Sequence, residues 1–214
     1  MEEDLVNPNF CGHFKALLTN WVFLFVTLSL CAVYFVVTGI QFWTTAYMIH
    51  VLKCDKTVVM ISFTVCCITG PIFGVSIGSY LSDKNGGYKG KNVLTAIKLC
   101  AAFGLMAFIF AFPIGFLGSL FYVLPLLWCL LAAGATLIPT ATGVIVNSVP
   151  KKYMSASSSI SQLFFNLAGY FAAPVVSAQV AQQFHDRTEG LIWAFRVVLW
   201  WSVFGIIFIL LAWA

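Results

Sequence analysis

Tyr34, Thr38, Gln41 and Thr45 stand four, three and four residues apart, inside a stretch between Lys15 and Lys53 that holds no Asp, Glu, Lys or Arg. On a helix that spacing puts all four on one stripe. Gln162, Asn166 and Gly169 repeat the pattern further along, and Thr136, Thr140 and Gly143 repeat it again. Each stripe offers neutral donors and acceptors in apolar surroundings, so its chemistry is recognition by hydrogen bonding. Such groups are costly in a membrane and face either a bundle interior or a water-filled cavity. They can equally bond across helices and hold a bundle together.

Covalent chemistry finds little support. All seven Asp and Glu lie outside the apolar runs, and His13, His50 and His185 stand at their ends. The run "GVSIG" at residues 74–78 resembles the serine motif of a rhomboid-type protease, but that reaction needs a histidine at membrane depth to take the serine proton. None is available, which argues against an enzyme. The same lack leaves no obvious proton relay. Cys31, Cys66, Cys67, Cys100 and Cys129 fall in apolar runs, while Cys11 and Cys54 flank the first run, so they read as small buried hydrophobes with no metal site or disulfide. No cofactor motif is present. Lys98, about 10 Å past Lys91 along a helix, and Arg196 have stems long enough to carry their charges back to an interface.

The elements that carry these stripes follow from the charge-free intervals. The chain is 61% hydrophobic and 8% charged, far from the composition of a soluble domain. Intervals 15–53, 56–83 and 152–186 each fit one spanning helix of at least about 20 residues. The interval 98–151 fits two helices joined at "FPIGFLG", residues 112–118, where Pro113, Gly115 and Gly118 break helical geometry. The reading is an all-α polytopic membrane protein with six transmembrane helices, at about 19–49, 57–82, 92–112, 119–148, 154–182 and 190–214, preceded by a lead-in over 1–18. Continuous apolar runs exclude the alternation of barrel strands. Lys15, Lys84, Lys89, Lys91, Lys151 and Lys152 collect on one side, against Lys53, Lys56 and Arg187 on the other, which predicts cytoplasmic termini. The start is too acidic for a signal peptide, and the net charge of +4 has no basic tract that would suggest nucleic acid.

Between the second and third helices the chain reads "SIGSYLSDKNGGYKGK", residues 76–91. Gly70, Gly74 and Gly78 lead into it along one helix face, suited to close packing on a neighbour. Leu81, Asp83, Lys84, Gly86, Lys89 and Lys91 then supply an acid, a glycine turn and a basic cluster. This resembles the loop signature of the major facilitator superfamily, with two departures: Ser79 stands where the family usually has glycine, one place after Gly78, and "GGY" lengthens the approach to Lys89. A second basic loop, "VPKKYMSASSS", follows the fourth helix. The degenerate signature resembles the C-terminal copy, so the resemblance implies a six-helix C-terminal half made of two three-helix repeats, with residues 1–18 as the tail of a central loop. The "VPKKYMSASSSISQLFFNLAGYFAAP" stretch resembles spinster-type lipid transporters.

The resemblance implies a secondary transporter that moves a small or amphipathic organic solute by alternating access. Its first, fourth and fifth helices would line the pathway, making Tyr34, Gln41, Thr45, Thr136, Thr140 and Asn166 the candidates for substrate contact. Gly78, Asp83, Lys84, Gly86, Lys89 and Lys91 would form a gating loop, in which Asp83 latches onto a helix start of a partner half. The partners implied are the solute, the bilayer and an N-terminal six-helix half or a second copy. "IIFILLAWA" ends without a charged flank, as expected of a fragment. Pro71 and Pro174 would occupy matching places in the two repeats and seed bends. The rival reading is a half-transporter kept as a structural or assembly subunit.

Overall fold

The computed structural model describes residue 14, residues 17–88 and residues 92–213. Most of the lead-in, together with Lys89 and Lys91, lies outside them. Six helices are long and apolar enough to cross a membrane: α1 (Trp21–His50), α2 (Lys56–Lys84), α3 (Asn92–Ile114), α4 (Leu120–Asn147), α5 (Lys151–Gln182) and α6 (Arg187–Trp213). No strand occurs among the described residues. The chain is an all-helical membrane bundle.

Local chemistry sets the ends. Asn20 caps α1 by accepting the Phe23 N–H, and its amide donates to the Ser148 carbonyl at 2.8 Å, tying the start of α1 to the end of α4. Asp55 caps α2 through the N–H groups of Thr57 and Val58, and Asp186 caps α6 through that of Thr188. At the far end of α2 the Gly86 N–H donates to the Asp83 carbonyl and the Gly87 N–H to the Ser82 carbonyl. That pair of bonds requires a left-handed residue after the cap, and Gly86 supplies it with φ +86°. Pro113 falls in the last turn of α3, and Gly115 opens the turn to α4.

Two helices are not continuous α-helix, as the sequence reading had them. Within α5 a 3-10 turn (Lys151–Tyr153) leads into α-helix (Met154–Phe164), then π-helix (Phe165–Phe171), then α-helix again (Ala172–Gln182). The π segment lies just before Pro174, which has no N–H to offer the carbonyl of Tyr170 and whose ring crowds it. Helix α6 is interrupted at Trp201, between Arg187–Trp200 and Ser202–Trp213.

Packing follows two three-helix repeats. The contact of α2 on α4 has its counterpart in α5 on α1, and α3 on α4 has its counterpart in α6 on α1; α1 also meets α4, and α3 meets α6. Exchanging the first three helices with the last three therefore maps most of the bundle onto itself. The α2 contact is a ladder of small side chains four apart: Cys66, Gly70, Gly74, Gly78 and Ser82 are its buried residues with Val59. A Cβ built on Gly74 would run into the Ala132 carbonyl, and one on Gly78 into that of Thr136. In lipid, where apolar burial offers little gain, such close approach is what binds helices. On α5 the ladder is Ser161, Phe165, Gly169, Ala173 and Ser177, with a Gly169 Cβ falling 3.2 Å from the Cys31 carbonyl of α1. Where α1, α3, α4 and α6 cross, packing leaves an apolar void of about 40 Å3 beside Val36, Ile40 and Gly134.

Candidate functional site

The ladder on α5 fixes what its other faces present. With Phe165 and Gly169 turned into α1, Gln162, Asn166 and Tyr170 remain exposed. Tyr34 of α1 is half-buried between two of these neighbours, its ring centroid 5.0 Å from Phe165 and 5.0 Å from Tyr170. Asn166 follows Phe165 directly, so the structure gathers Tyr34, Asn166 and Tyr170 at one level, on the π segment. Gln41 is exposed and Thr45 half-buried, about two and three turns further along α1. Thr38, between them, spends its hydroxyl on the Tyr34 carbonyl at 2.8 Å. Neither Gln41, Gln162 nor Asn166 bonds to a described residue. All three are exposed amides of α1 and α5, and the two helices are joined further on by Trp43, whose indole N–H donates to the Ser177 hydroxyl at 2.7 Å.

Thr136 and Thr140 lie elsewhere. Both are buried under the α2 ladder: Thr136 donates to the Ala132 carbonyl at 2.9 Å, and the Thr140 hydroxyl meets that of Ser82 at 2.7 Å. In this arrangement Thr140 bonds α2 to α4, while Thr136 keeps its hydroxyl within α4 and lies against Gly78. A stripe of hydroxyls on α4 does not say which neighbour covers it, and here the glycines of α2 come close enough to do so. The next residue of that stripe, Gly143, is covered by the ring of Tyr88 from the loop.

In the loop, Gly78 belongs to the ladder and Gly86 to the turn, while Asp83 and Lys84 are exposed. The turn is closed by the Asn92 amide, which donates to the Gly86 carbonyl at 2.8 Å. Asp83 sits in the last turn of α2, where the helix dipole disfavours a negative charge, and forms no ion pair with a described residue. Lys89 and Lys91, the remaining gating candidates, lie outside the described residues.

The two intramembrane cations differ. Lys98 is exposed, with its ammonium 5.5 Å from the ring centre of Trp213, at the loop end of the bundle. Arg196 is half-buried and donates from Nε to the Gly115 carbonyl at 3.0 Å, with its guanidinium 4.5 Å from the Phe116 ring centre and 5.1 Å from that of Trp193. It pins α6 to the α3–α4 turn. Cation and rings together supply what an arginine at membrane depth needs.

The π segment is the feature missed in sequence. Its traces were there: a proline one place after the ladder residue Ala173, and three aromatic residues among the nine before it. A family model described as Major Facilitator Superfamily matches residues 2–174. No curated protein and no solved structure gives a match.

Proposed function

The chain belongs to the Major Facilitator Superfamily, and from this we propose that it is the C-terminal half of a secondary transporter that moves a small or amphipathic organic solute by alternating access. The family consists of transporters of small solutes across lipid bilayers, so membrane transport is the general activity. The finer reading is supported by one observation above all: Gln41, Gln162 and Asn166 are exposed at membrane depth, and their side chains have no hydrogen-bond partner among the described residues. Polar amides left so are costly against lipid, and a solute pathway between two halves supplies water and ligand to meet them.

In this reading Tyr34, Gln41, Thr45 and Asn166 contact the solute directly. Asn166 does so from a π turn, where the backbone can exchange hydrogen-bond register at low cost as the bundle rocks. Thr136 and Thr140 act through the α2–α4 contact. Asp83, at a helix end and with no ion pair to a described residue, latches onto a helix start of the N-terminal half, on the cytoplasmic side. The likeness of the α5 stretch to spinster-type transporters favours amphipathic solutes within the class.

The test is uptake into liposomes of a panel of sugars, organic anions, amines and lysolipids, by the chain alone and by its longest natural product. Transport that Asn166→Ala, Gln41→Ala and Asp83→Asn each reduce, with unchanged melting temperature, supports the reading. A folded chain that moves none of the panel in either form points to the structural-subunit alternative.

A further inference from the structure

At the end of the bundle opposite the glycine loop, α1, α5 and α6 leave a recess of about 320 Å3 beside Trp43, Ala46, Gln182 and Leu191. It joins a smaller one of about 130 Å3 walled by His50, Lys53, Arg187 and Thr188. His50, Arg187 and Leu191 border both, so the two form one cleft with an apolar floor and a basic rim. Trp43 lies seven residues before His50, hence about 10 Å deeper. Its bond to Ser177 fixes the indole in the floor.

Among the described residues the rim cations form no ion pair. Asp55 and Asp186, their neighbours in sequence, are occupied by the backbone N–H groups that start α2 and α6. Glu189, the other acid at this end, forms no ion pair with a described residue. Lys53 also stands at φ +56°, the one non-glycine residue in the left-handed region among those described. Glycine or asparagine would occupy that position with less strain, by about 1 kcal/mol. The chain carries a lysine there instead, and Lys53 lines the cleft.

We propose that this cleft binds an amphipathic anion, with a phosphate, sulfate or carboxylate headgroup held between Lys53 and Arg187 and an apolar tail laid along Trp43 and Leu191. The cations supply charge-assisted bonds, and the floor supplies burial for the tail. The proposal concerns binding and does not depend on transport. The anion's source is either the headgroup of a membrane phospholipid or a dissolved amphiphile, because the cleft opens where bilayer and water meet.

The experiment is calorimetric titration of hexyl phosphate into the full chain in phosphatidylcholine nanodiscs, against empty discs. Hexyl phosphate should bind at least about tenfold more tightly than hexylphosphocholine, whose headgroup is neutral overall, and than inorganic phosphate, which has no tail. Lys53→Gln and Arg187→Gln should each weaken it by up to about fivefold, as expected of charges at an exposed rim. Lys53→Gly removes the ammonium while relaxing the backbone, so it serves if the glutamine variant disturbs the turn. Trp43→Leu should weaken hexyl phosphate and leave inorganic phosphate unchanged. Phosphatidylglycerol in the discs will compete if the lipid is the source and will have no effect if a dissolved amphiphile is; the site stands in both cases. Undetectable binding by the wild type overturns the proposal. So does equal binding by a Lys53→Gly, Arg187→Gln double variant that keeps the wild-type melting temperature, or equal binding of hexylphosphocholine.

Discussion

Helices α2 and α5 hold equivalent places in the two repeats and solve the same packing problem, yet they end in different states. Each buries a ladder of mostly small residues four apart, each carries a proline one place after a ladder residue (Gly70–Pro71, Ala173–Pro174), and each packs on the first helix of the other repeat. Helix α2 nonetheless remains α-helical from Lys56 to Lys84. Its exposed hydroxyls bond to its own backbone: Thr64 to the Met60 carbonyl and Ser76 to that of Ile72. Helix α5 opens into a π segment and exposes amides that bond to no described residue. Where the α2 ladder has only the Cys66 sulfhydryl and Gly70 just before its proline, the α5 ladder inserts Phe165, which folds with Tyr170 around Tyr34. One repeat thus offers a sealed helix pair and the other an adaptable, unsatisfied face.

The comparison breaks most severely at its shared feature. Gly74→Leu would force a branched side chain into the Ala132 backbone, which cannot move without separating α2 from α4. A loss above about 3 kcal/mol is expected, read as failure to recover a monodisperse chain or as a large fall in melting temperature. Gly87→Ala is the control: open space surrounds it, and only its φ of +75° opposes the change, for about 1 kcal/mol or less. Equal damage from the two would mean that the glycine ladder does not set the α2–α4 distance.

The next effect is on transport and separates the two faces. Asn166→Ala should reduce uptake about tenfold without shifting the melting temperature, because the amide is exposed and bonds to no described residue. Ser76→Ala and Thr64→Ala on α2 should stay within about twofold, since their hydroxyls already return to their own helix. If the serine costs as much as the asparagine, the functional asymmetry of the repeats is wrong.

Much of this was legible in the sequence. The charge-free intervals identify six spans because ionised side chains cannot stay in lipid unpaired. The glycines at 70, 74 and 78 announce a close helix contact because only a missing side chain allows it. What the residues could not disclose was direction. The hydroxyls of Thr136 and Thr140 fit a pathway as well as a helix contact until α2 is seen to cover them. The π segment was hidden because Pro71 and Pro174 look alike in sequence, and the outcome depends on the aromatic residues that pack beside each. The basic cleft draws on three segments far apart in the chain, and only folding brings Lys53 and Arg187 to one rim.

Smaller effects test the two ladders at their last rungs. Thr140→Val leaves the Ser82 hydroxyl buried without its partner, and a loss of about 1–2 kcal/mol in a denaturation series is expected. Ser177→Ala does the same to the Trp43 indole N–H, but that group borders the cleft, where water can replace the lost bond. A loss of under about 1 kcal/mol follows. A larger loss at Ser177 than at Thr140 would reverse the assignment of sealed and open repeats.

The prolines give the smallest and most discriminating comparison. Replacing either by alanine restores an N–H to the helix and should raise the melting temperature. On α2 the restored donor meets a helix that is already α-helical, so Pro71→Ala should stabilise and leave uptake unchanged. On α5 it meets a carbonyl that the π turn has shifted, and the gain comes from closing that turn and drawing Asn166 into a regular α-helical register. Pro174→Ala should therefore stabilise while reducing uptake by about threefold, since a helix that no longer exchanges register holds the polar face in one position. Hydrogen exchange across residues 165–175 separates the causes: slower exchange together with slower uptake means that the π turn takes part in the transport cycle, whereas slower exchange with unchanged uptake makes it a packing adjustment around Phe165.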